Sequence, residues 1–426
     1  MMVHLRKRED PVDLEVRAPP SKSYTHRALI AAALADGRSF IEDPLIAEDT
    51  LLTLQALKTL GVEITEEERG IHIHGTRGDL RPGRPVTIDL KNSGTSMRLL
   101  ASVSLLADHP VILTGSPRMC ERPIGDLVEA INSIGGTVRY LGRPGYPPIE
   151  VSGRLLGGRV ELPSGVSSQF ITSLLMTAPY AEEPVEVKTG ENPVSASYLG
   201  ITTDLMKNFG INVDDRKPGL FQVPNTSEYL SKRYSVEGDY SSASYFFGIG
   251  AICGGDVTVT NLKVSSPQGD RGFPAILETM GCRVRSGETS VHLRMDGSLS
   301  GTEVNMSPMP DTVQTLSAVA VFADSPTEIT GVAHLRHKES DRIEAIRRIL
   351  TSLGAGVSTS GDAIRIQPGR LHGGVIDPEN DHRTAMSGAL LGLGIGDVSL
   401  LDAGCVGKSY PAFWDLLVEA GLWDGM

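Results

Sequence analysis

Cysteine is scarce. Cys120, Cys253, Cys282 and Cys405 are the only four in 426 residues. None stands in a C-x-x-C pair, and no histidine cluster has metal-ligand spacing. That argues against a zinc or redox motif and leaves four free thiols in a reducing compartment as the expectation. Long apolar runs are also missing. No stretch approaches the roughly 20 apolar residues that span a bilayer. The basic opening, His4-Leu5-Arg6-Lys7-Arg8, has no apolar segment behind it, so no secretory signal is expected and the location should be cytoplasmic. Positive charge is in deficit: 40 Lys and Arg against 52 Asp and Glu give a net charge of −12. This argues against nucleic acid and anionic membranes as partners. In so acidic a chain, a local cluster of cations is informative.

Glycine, by contrast, recurs on a period. Gly61, Gly135, Gly210, Gly281, Gly354 and Gly421 each follow an amphipathic run, 67 to 75 residues apart. Glycine suits the left-handed position after a helix, and six at near-equal spacing mark an internal repeat. A second series keeps step with the first. Ser23, Ser93, Ser167, Ser241, Asp311 and Asp381, 70 to 74 residues apart, are helix N-cap types. Each lies just before or within a run that is apolar on more than one face, such as Ala28–Leu34, Tyr245–Cys253 and Ala385–Leu393, as buried helices are. Between the two helices of a unit come strand-like runs, Val111-Ile112-Leu113 and Val257-Thr258-Val259 among them. After the second helix come others, such as Ile211-Asn212-Val213 and Cys282-Arg283-Val284-Arg285. The unit therefore reads buried helix, strand, outer helix, strands, repeated six times in an α/β chain. Three units, about 220 residues, make a plausible domain. The polar stretch 225–233 predicts a hinge near Val236-Glu237-Gly238.

Residues with chemical potential gather where helices begin. His334-Leu335-Arg336-His337-Lys338-Glu339-Ser340-Asp341-Arg342 leads into a helix predicted to start at Ser340 or Asp341. Asp341 suits a helix N-terminus; Lys338 and Arg342 do not, unless an anion lies between them. Lys22 and Arg27 flank the start of the first buried helix, with two aliphatic hydroxyls between them. Lys91-Asn92-Ser93-Gly94-Thr95-Ser96-Met97-Arg98 opens the second unit, with Gly94 allowing a ligand to approach the backbone. Glu121-Arg122-Pro123-Ile124 opens its outer helix, with proline expected near the first helical position. Ser164 to Gln169 brings consecutive hydroxyls, Ser167 and Ser168, to a helix start. Ser195 and Tyr198 are expected just before the next helix. Arg383 and Lys408 stand at the last two starts. Any one of these reads as a capped helix with a solvated charge. Cations recurring at helix N-termini instead imply a small ligand with several negative charges, met by both halves of the chain.

Taken together, Pro20 to Arg27, Asn92 to Arg98, Glu121 to Ile124, Ser167-Ser168-Gln169-Phe170, Glu237 to Ala243, Lys338 to Arg342 and Asn380 to Arg383 resemble the 5-enolpyruvylshikimate-3-phosphate synthase family in order along the whole chain. The resemblance implies the two-domain enolpyruvyl transferase fold, an inside-out α/β barrel of six units. Residues 20–236 would form one domain and residues 1–19 with 237–426 the other, hinged near 19 and 237. It implies transfer of the enolpyruvyl group of phosphoenolpyruvate to the 5-hydroxyl of shikimate 3-phosphate, with no metal or organic cofactor; a monomer is expected. It assigns Lys22, Ser23, Arg27, Ser167, Ser168, Gln169, Ser195, Tyr198, Asp311 and Lys338 to shikimate 3-phosphate. It assigns Lys22, Gly94, Arg122, Gln169, Arg342, Arg383 and Lys408 to phosphoenolpyruvate. Asp311 would accept the hydroxyl proton and Glu339 deliver one to C3, with Lys22 and Lys338 also in catalytic roles.

Two positions depart from the pattern. Leu99 replaces a frequent proline, and His334 stands where some relatives have asparagine, so His334 is not counted in the site. The alternative is a UDP-N-acetylglucosamine enolpyruvyl transferase. That relative carries its loop cysteine where this chain has Pro117, and Cys120 is out of register. A repeat scaffold without activity would leave the recurring cations and Glu339 without a task.

Overall fold

The computed structural model describes residues 1–163, 165, 167–190 and 195–425. Ser164 and Val166 of the third unit's opening lie outside them. The chain divides into two compact units, Pro20–Val236 and Met1–Pro19 with Glu237–Met426.

In Pro20–Val236 the helices are α1 (Lys22–Leu34), α2 (Glu48–Thr59), α3 (Gly94–Val103), α4 (Gly125–Ser133), α5 (Ser168–Thr177) and α6 (Ser197–Asn208). The odd-numbered helices are buried on nearly every face and share one apolar core. The even-numbered ones bury one face. The other unit repeats the plan with α7 (Tyr240–Cys253), α8 (Phe273–Thr279), α9 (Val313–Ala320), α10 (Arg342–Ser352), α11 (His382–Ile395) and α12 (Phe413–Glu419). Here α7, α9 and α11 pack on one another inside a second core.

Three sheets follow one rule. A strand before the inner helix lies parallel to the strand after it, and a hairpin after the outer helix adds two antiparallel strands. Val86–Asp89, Val111–Thr114, Ile149–Gly153 and Gly136–Tyr140 show the order. Three sheets borrow a strand from far along the chain. Arg233–Ser235 joins Asp36–Glu42, Val12–Arg17 joins Gly255–Thr260, and Val3–Leu5 joins Val398–Leu400. Among the described residues, the last of these sheets has three strands and the other five have four.

All six repeat glycines adopt positive φ, from 63° to 114°. In five cases the residue after the glycine donates its N–H back to the helix, as Ile211 does to the Met206 carbonyl at 2.8 Å. That bond corrects one expectation. Ile211–Val213 is not a strand, because the cap has taken Ile211; the strand starts at Asp214.

The caps also differ in part. Ser93, Ser167 and Asp381 cap as expected. Ser21 caps α1, leaving Ser23 inside the first turn. Asp239 displaces Ser241 because its carboxylate accepts from both the Ser242 N–H at 2.8 Å and the Ser241 hydroxyl at 2.5 Å. Asp311 sits in a 3-10 turn, Pro310–Thr312, and Thr312 takes the cap position.

Candidate active site

In the Pro20–Val236 unit the first turn of α1 carries Lys22, whose ammonium lies 3.1 Å from the buried Asp49 of α2. One turn later Arg27 is buried, with acceptors from three helices. Nε donates to Thr202 Oγ1 at 2.9 Å, and Nη1 to the Ser23 carbonyl at 2.9 Å. Nη2 donates to Thr172 Oγ1 and the Tyr198 carbonyl, both at 3.3 Å. All four acceptors are uncharged. Burial pushes the guanidinium down to about 10, only partly opposed by Tyr198 and Tyr24. A buried cation held by hydroxyls and carbonyls is a seat for an anion. Tyr198 lies inside α6, not before it, and Ser195 takes the left-handed conformation just ahead, φ 58°.

Gly94 is the first residue of α3. A methyl group there would meet the guanidinium groups of both Arg98 and Arg122. Arg122 is buried and donates to the Asn92 carbonyl at 3.1 Å. Pro123 lies two residues ahead of α4 rather than in its first turn, because Ile124 spends its N–H on the Gly145 carbonyl and becomes the cap. Ser167 caps α5, Ser168 is buried in its first turn, and the Gln169 amide donates to Thr95 Oγ1 at 3.1 Å, placing Gln169 beside Gly94. A buried chain, His26 to Thr53 to Ser96 to Ser93, ties α1, α2 and the start of α3 with contacts of 2.8 Å. Burial pushes the His26 imidazole down to about 3, with Lys22 and Arg27 acting in the same sense and Asp49 against it.

The other unit collects charges of both signs. Asp341 caps α10, as expected, while the stretch before it, Ala333–His337, is a 3-10 turn. Lys338 follows in extended conformation, half-buried. Arg342 is buried and reaches three carboxylates: Asp381 at 2.8 Å, Glu339 at 3.0 Å and Asp311 at 3.3 Å. Against a large desolvation cost, these three raise its proton affinity above the ordinary value. Arg383, at the start of α11, donates to the other oxygen of Asp311 at 2.7 Å and to the Asp311 carbonyl at 3.0 Å. Lys408 lies 3.6 Å from Glu339. His334, not counted in the site from sequence, is largely buried; burial, then Lys338, push it down to about 4.

Sequence reasoning missed Asp49, Arg98 and the role of Asp381. Asp381 was legible only as a cap, and nothing local signals a partner 27 or 39 positions away. Among the described residues, no group of three or more His, Cys, Asp and Glu side chains is placed to hold a metal ion. Nor, among the described residues, is any helix long and apolar enough to cross a membrane.

A family model described as EPSP synthase (3-phosphoshikimate 1-carboxyvinyltransferase) matches residues 7–417. A 3-phosphoshikimate 1-carboxyvinyltransferase of Methanosphaerula palustris is 55% identical over 416 residues, covering 97% of this chain and 98% of that one. The enzyme of that name from an Enterobacter species is 39% identical over 412 residues, covering 96% of each. A solved structure of EPSP synthase from Acinetobacter baumannii superposes with a TM-score of 0.82 at 26% identity, covering 99% of this chain and 98% of that one. On sequence, fold and extent of match, the chain belongs to the EPSP synthase (3-phosphoshikimate 1-carboxyvinyltransferase) family.

Proposed function

We propose that the two clusters of cations carry out the family's reaction between them. As a member of that family, the chain transfers the enolpyruvyl group of phosphoenolpyruvate to the 5-hydroxyl of shikimate 3-phosphate and releases phosphate, a step of the shikimate pathway. The residue roles are our reading. Arg27, with Ser23, Ser167, Ser168, Gln169, Ser195 and Tyr198, binds shikimate 3-phosphate in the unit Pro20–Val236. Lys22, Gly94, Arg122 and Gln169 bind phosphoenolpyruvate from the same unit. Arg342, Arg383 and Lys408 contribute from the other, where Lys338 and Asp311 also meet the sugar-like substrate. Asp311 takes the hydroxyl proton and Glu339 protonates C3, giving a tetrahedral adduct that then loses phosphate. Lys22 and Lys338 stabilise charge in that step.

The observation that supports this most is the burial of Arg27 with no carboxylate partner among the described residues, while Arg342 and Glu339 touch at 3.0 Å. We further propose a cytoplasmic monomer without cofactor. In this reading residues 20–236 and 1–19 with 237–426 act as two domains hinged near 19 and 237. Phosphate release from phosphoenolpyruvate is the test. It should require shikimate 3-phosphate and not be supported by UDP-N-acetylglucosamine; the opposite preference would overturn the reading.

A further inference from the structure

Six side chains of the unit containing Glu237–Met426 form one run of ion pairs. Lys408 meets Glu339, Glu339 meets Arg342, Arg342 meets Asp381 and Asp311, and Asp311 meets Arg383. Three of the six are cations and three are carboxylates, so the run is neutral. A multiply charged anion arriving there gains little until one carboxylate is moved or neutralised.

The carboxylates are not held alike. Asp381 is fully buried and both its oxygens are engaged. It accepts from Arg342 Nε at 2.8 Å and Nη2 at 3.4 Å, from the Ser340 hydroxyl at 3.1 Å and from the Arg383 N–H at 3.0 Å. Glu339 stands on the bend before α10. One oxygen touches Arg342 at 3.0 Å and the other lies 3.6 Å from the Lys408 ammonium. Asp311 is the most exposed of the three. The surroundings are charged as well. Lys338 precedes Glu339, and His334 faces Asp311 with its imidazole held neutral by burial. Asp239 reaches Arg383 through the Ser241 hydroxyl. Burial, then Asp311, push the Asp270 carboxyl well above the usual carboxylate range, and burial pushes the Cys405 thiol up to about 12.

We propose that Asp381 is a positioning residue, the fixed counterion of Arg342, whereas Glu339 occupies the places on Arg342 and Lys408 that phosphoenolpyruvate takes. Substrate binding then expels the Glu339 carboxylate and loads it with a proton. This rests on the function proposed above and supplies what that reading needs, a protonated acid beside C3. The protons balance. Glu339 takes one from solvent and gives it to C3 as the new C–O bond forms, and the hydroxyl gives its proton to Asp311. In elimination C3 returns a proton to the Glu339 carboxylate, which gives it back to solvent as product leaves, and phosphate departs with the electron pair of its C–O bond. The proton on Asp311 leaves with phosphate.

Calorimetry tests this on the full-length protein. Phosphoenolpyruvate is titrated in the presence of shikimate 3-phosphate lacking its 5-hydroxyl, so the complex forms without turnover. Repeating the titration in buffers of different ionisation enthalpy counts the protons taken up. The wild-type protein should take up about one proton more than Glu339→Gln, whose amide cannot load one and in which the ligand's own proton changes cancel. Equal counts would overturn the proposal. They would leave Glu339 as the acid if Glu339→Gln still lost most of its turnover; normal turnover would remove it from that role. Asp381→Asn keeps the cap but frees Arg342 to grip Glu339 harder. It should lower the proton count and reduce kcat more than it raises KM for phosphoenolpyruvate. If it leaves both count and kcat unchanged, Asp381 is not the fixed counterion.

Discussion

Arg27→Met separates a binding cation from a structural one. The side chain is 2% exposed, and burial moves the guanidinium from 12.5 to about 10. At ~1.4 kcal/mol per pKa unit, keeping the charge there costs about 3 kcal/mol in the unliganded protein. Methionine fills similar space without charge. The groups it abandons stay satisfied: Thr172 and Thr202 bond each other at 2.8 Å, and the Tyr198 carbonyl keeps the Thr202 hydroxyl at 2.9 Å. The unliganded variant should therefore be at most ~1 kcal/mol less stable than wild type, and as much as ~3 kcal/mol more stable, in urea unfolding. Affinity for shikimate 3-phosphate should meanwhile fall about 10²- to 10³-fold, the loss expected for a desolvated charge pair worth ~3–4 kcal/mol. Isothermal calorimetry reads the second quantity. A variant destabilised by more than ~3 kcal/mol would make Arg27 a structural tie. Affinity within about threefold of wild type would remove it from the phosphate site.

Other substitutions give distinct readouts. Glu339→Gln should lower kcat roughly 10²-fold or more without raising KM for phosphoenolpyruvate, and near-normal turnover would exclude it as the acid. The resemblance places Gly94 where the inhibitor glyphosate competes with phosphoenolpyruvate. Gly94→Ala must shift Arg122, whose guanidinium carbon would lie 2.8 Å from the new methyl, a strain of roughly 1–3 kcal/mol. The glyphosate inhibition constant should rise more than KM for phosphoenolpyruvate; equal rises would defeat the idea of a selective clash. Buried His26 sets a pH dependence. Its folded pKa, about 3, is below the unfolded 6.5, so between those values the unfolded chain binds the extra proton. Stability therefore increases by up to ~1.4 kcal/mol per pH unit across that window and levels off above it. His26→Gln should flatten that slope in acid unfolding measurements, and an unchanged slope would mean that His26 does not control it.

How much of this was legible in the sequence follows from the range of each interaction. Helix ends are local. The C-terminal glycines announce themselves within five residues, and so the six units could be counted. The strands that complete three sheets are not local: Val12–Arg17 pairs with Gly255–Thr260, and no pattern within either segment names the other. The same holds at the site. Lys22, Arg27, Arg342 and Arg383 stood out as cations at helix starts, where only an anion explains them. Asp49 and Asp381, which neutralise two of them, read as ordinary first-turn and cap residues, because the packing of separate helices decides whom they meet. Ser23 and Ser241 were mistaken for caps since a hydroxyl two residues from the true cap looks the same until the geometry chooses.

The account's central claim is a proton-assisted addition and elimination with shikimate 3-phosphate as acceptor. It is tested most directly by running the reaction in heavy water and examining the product by NMR. The account predicts the 5-enolpyruvyl ether, one phosphate released for each product formed, and deuterium in the vinyl methylene, because C3 passes through a methyl group. No ether formed, or an ether whose methylene carries no deuterium, would contradict it.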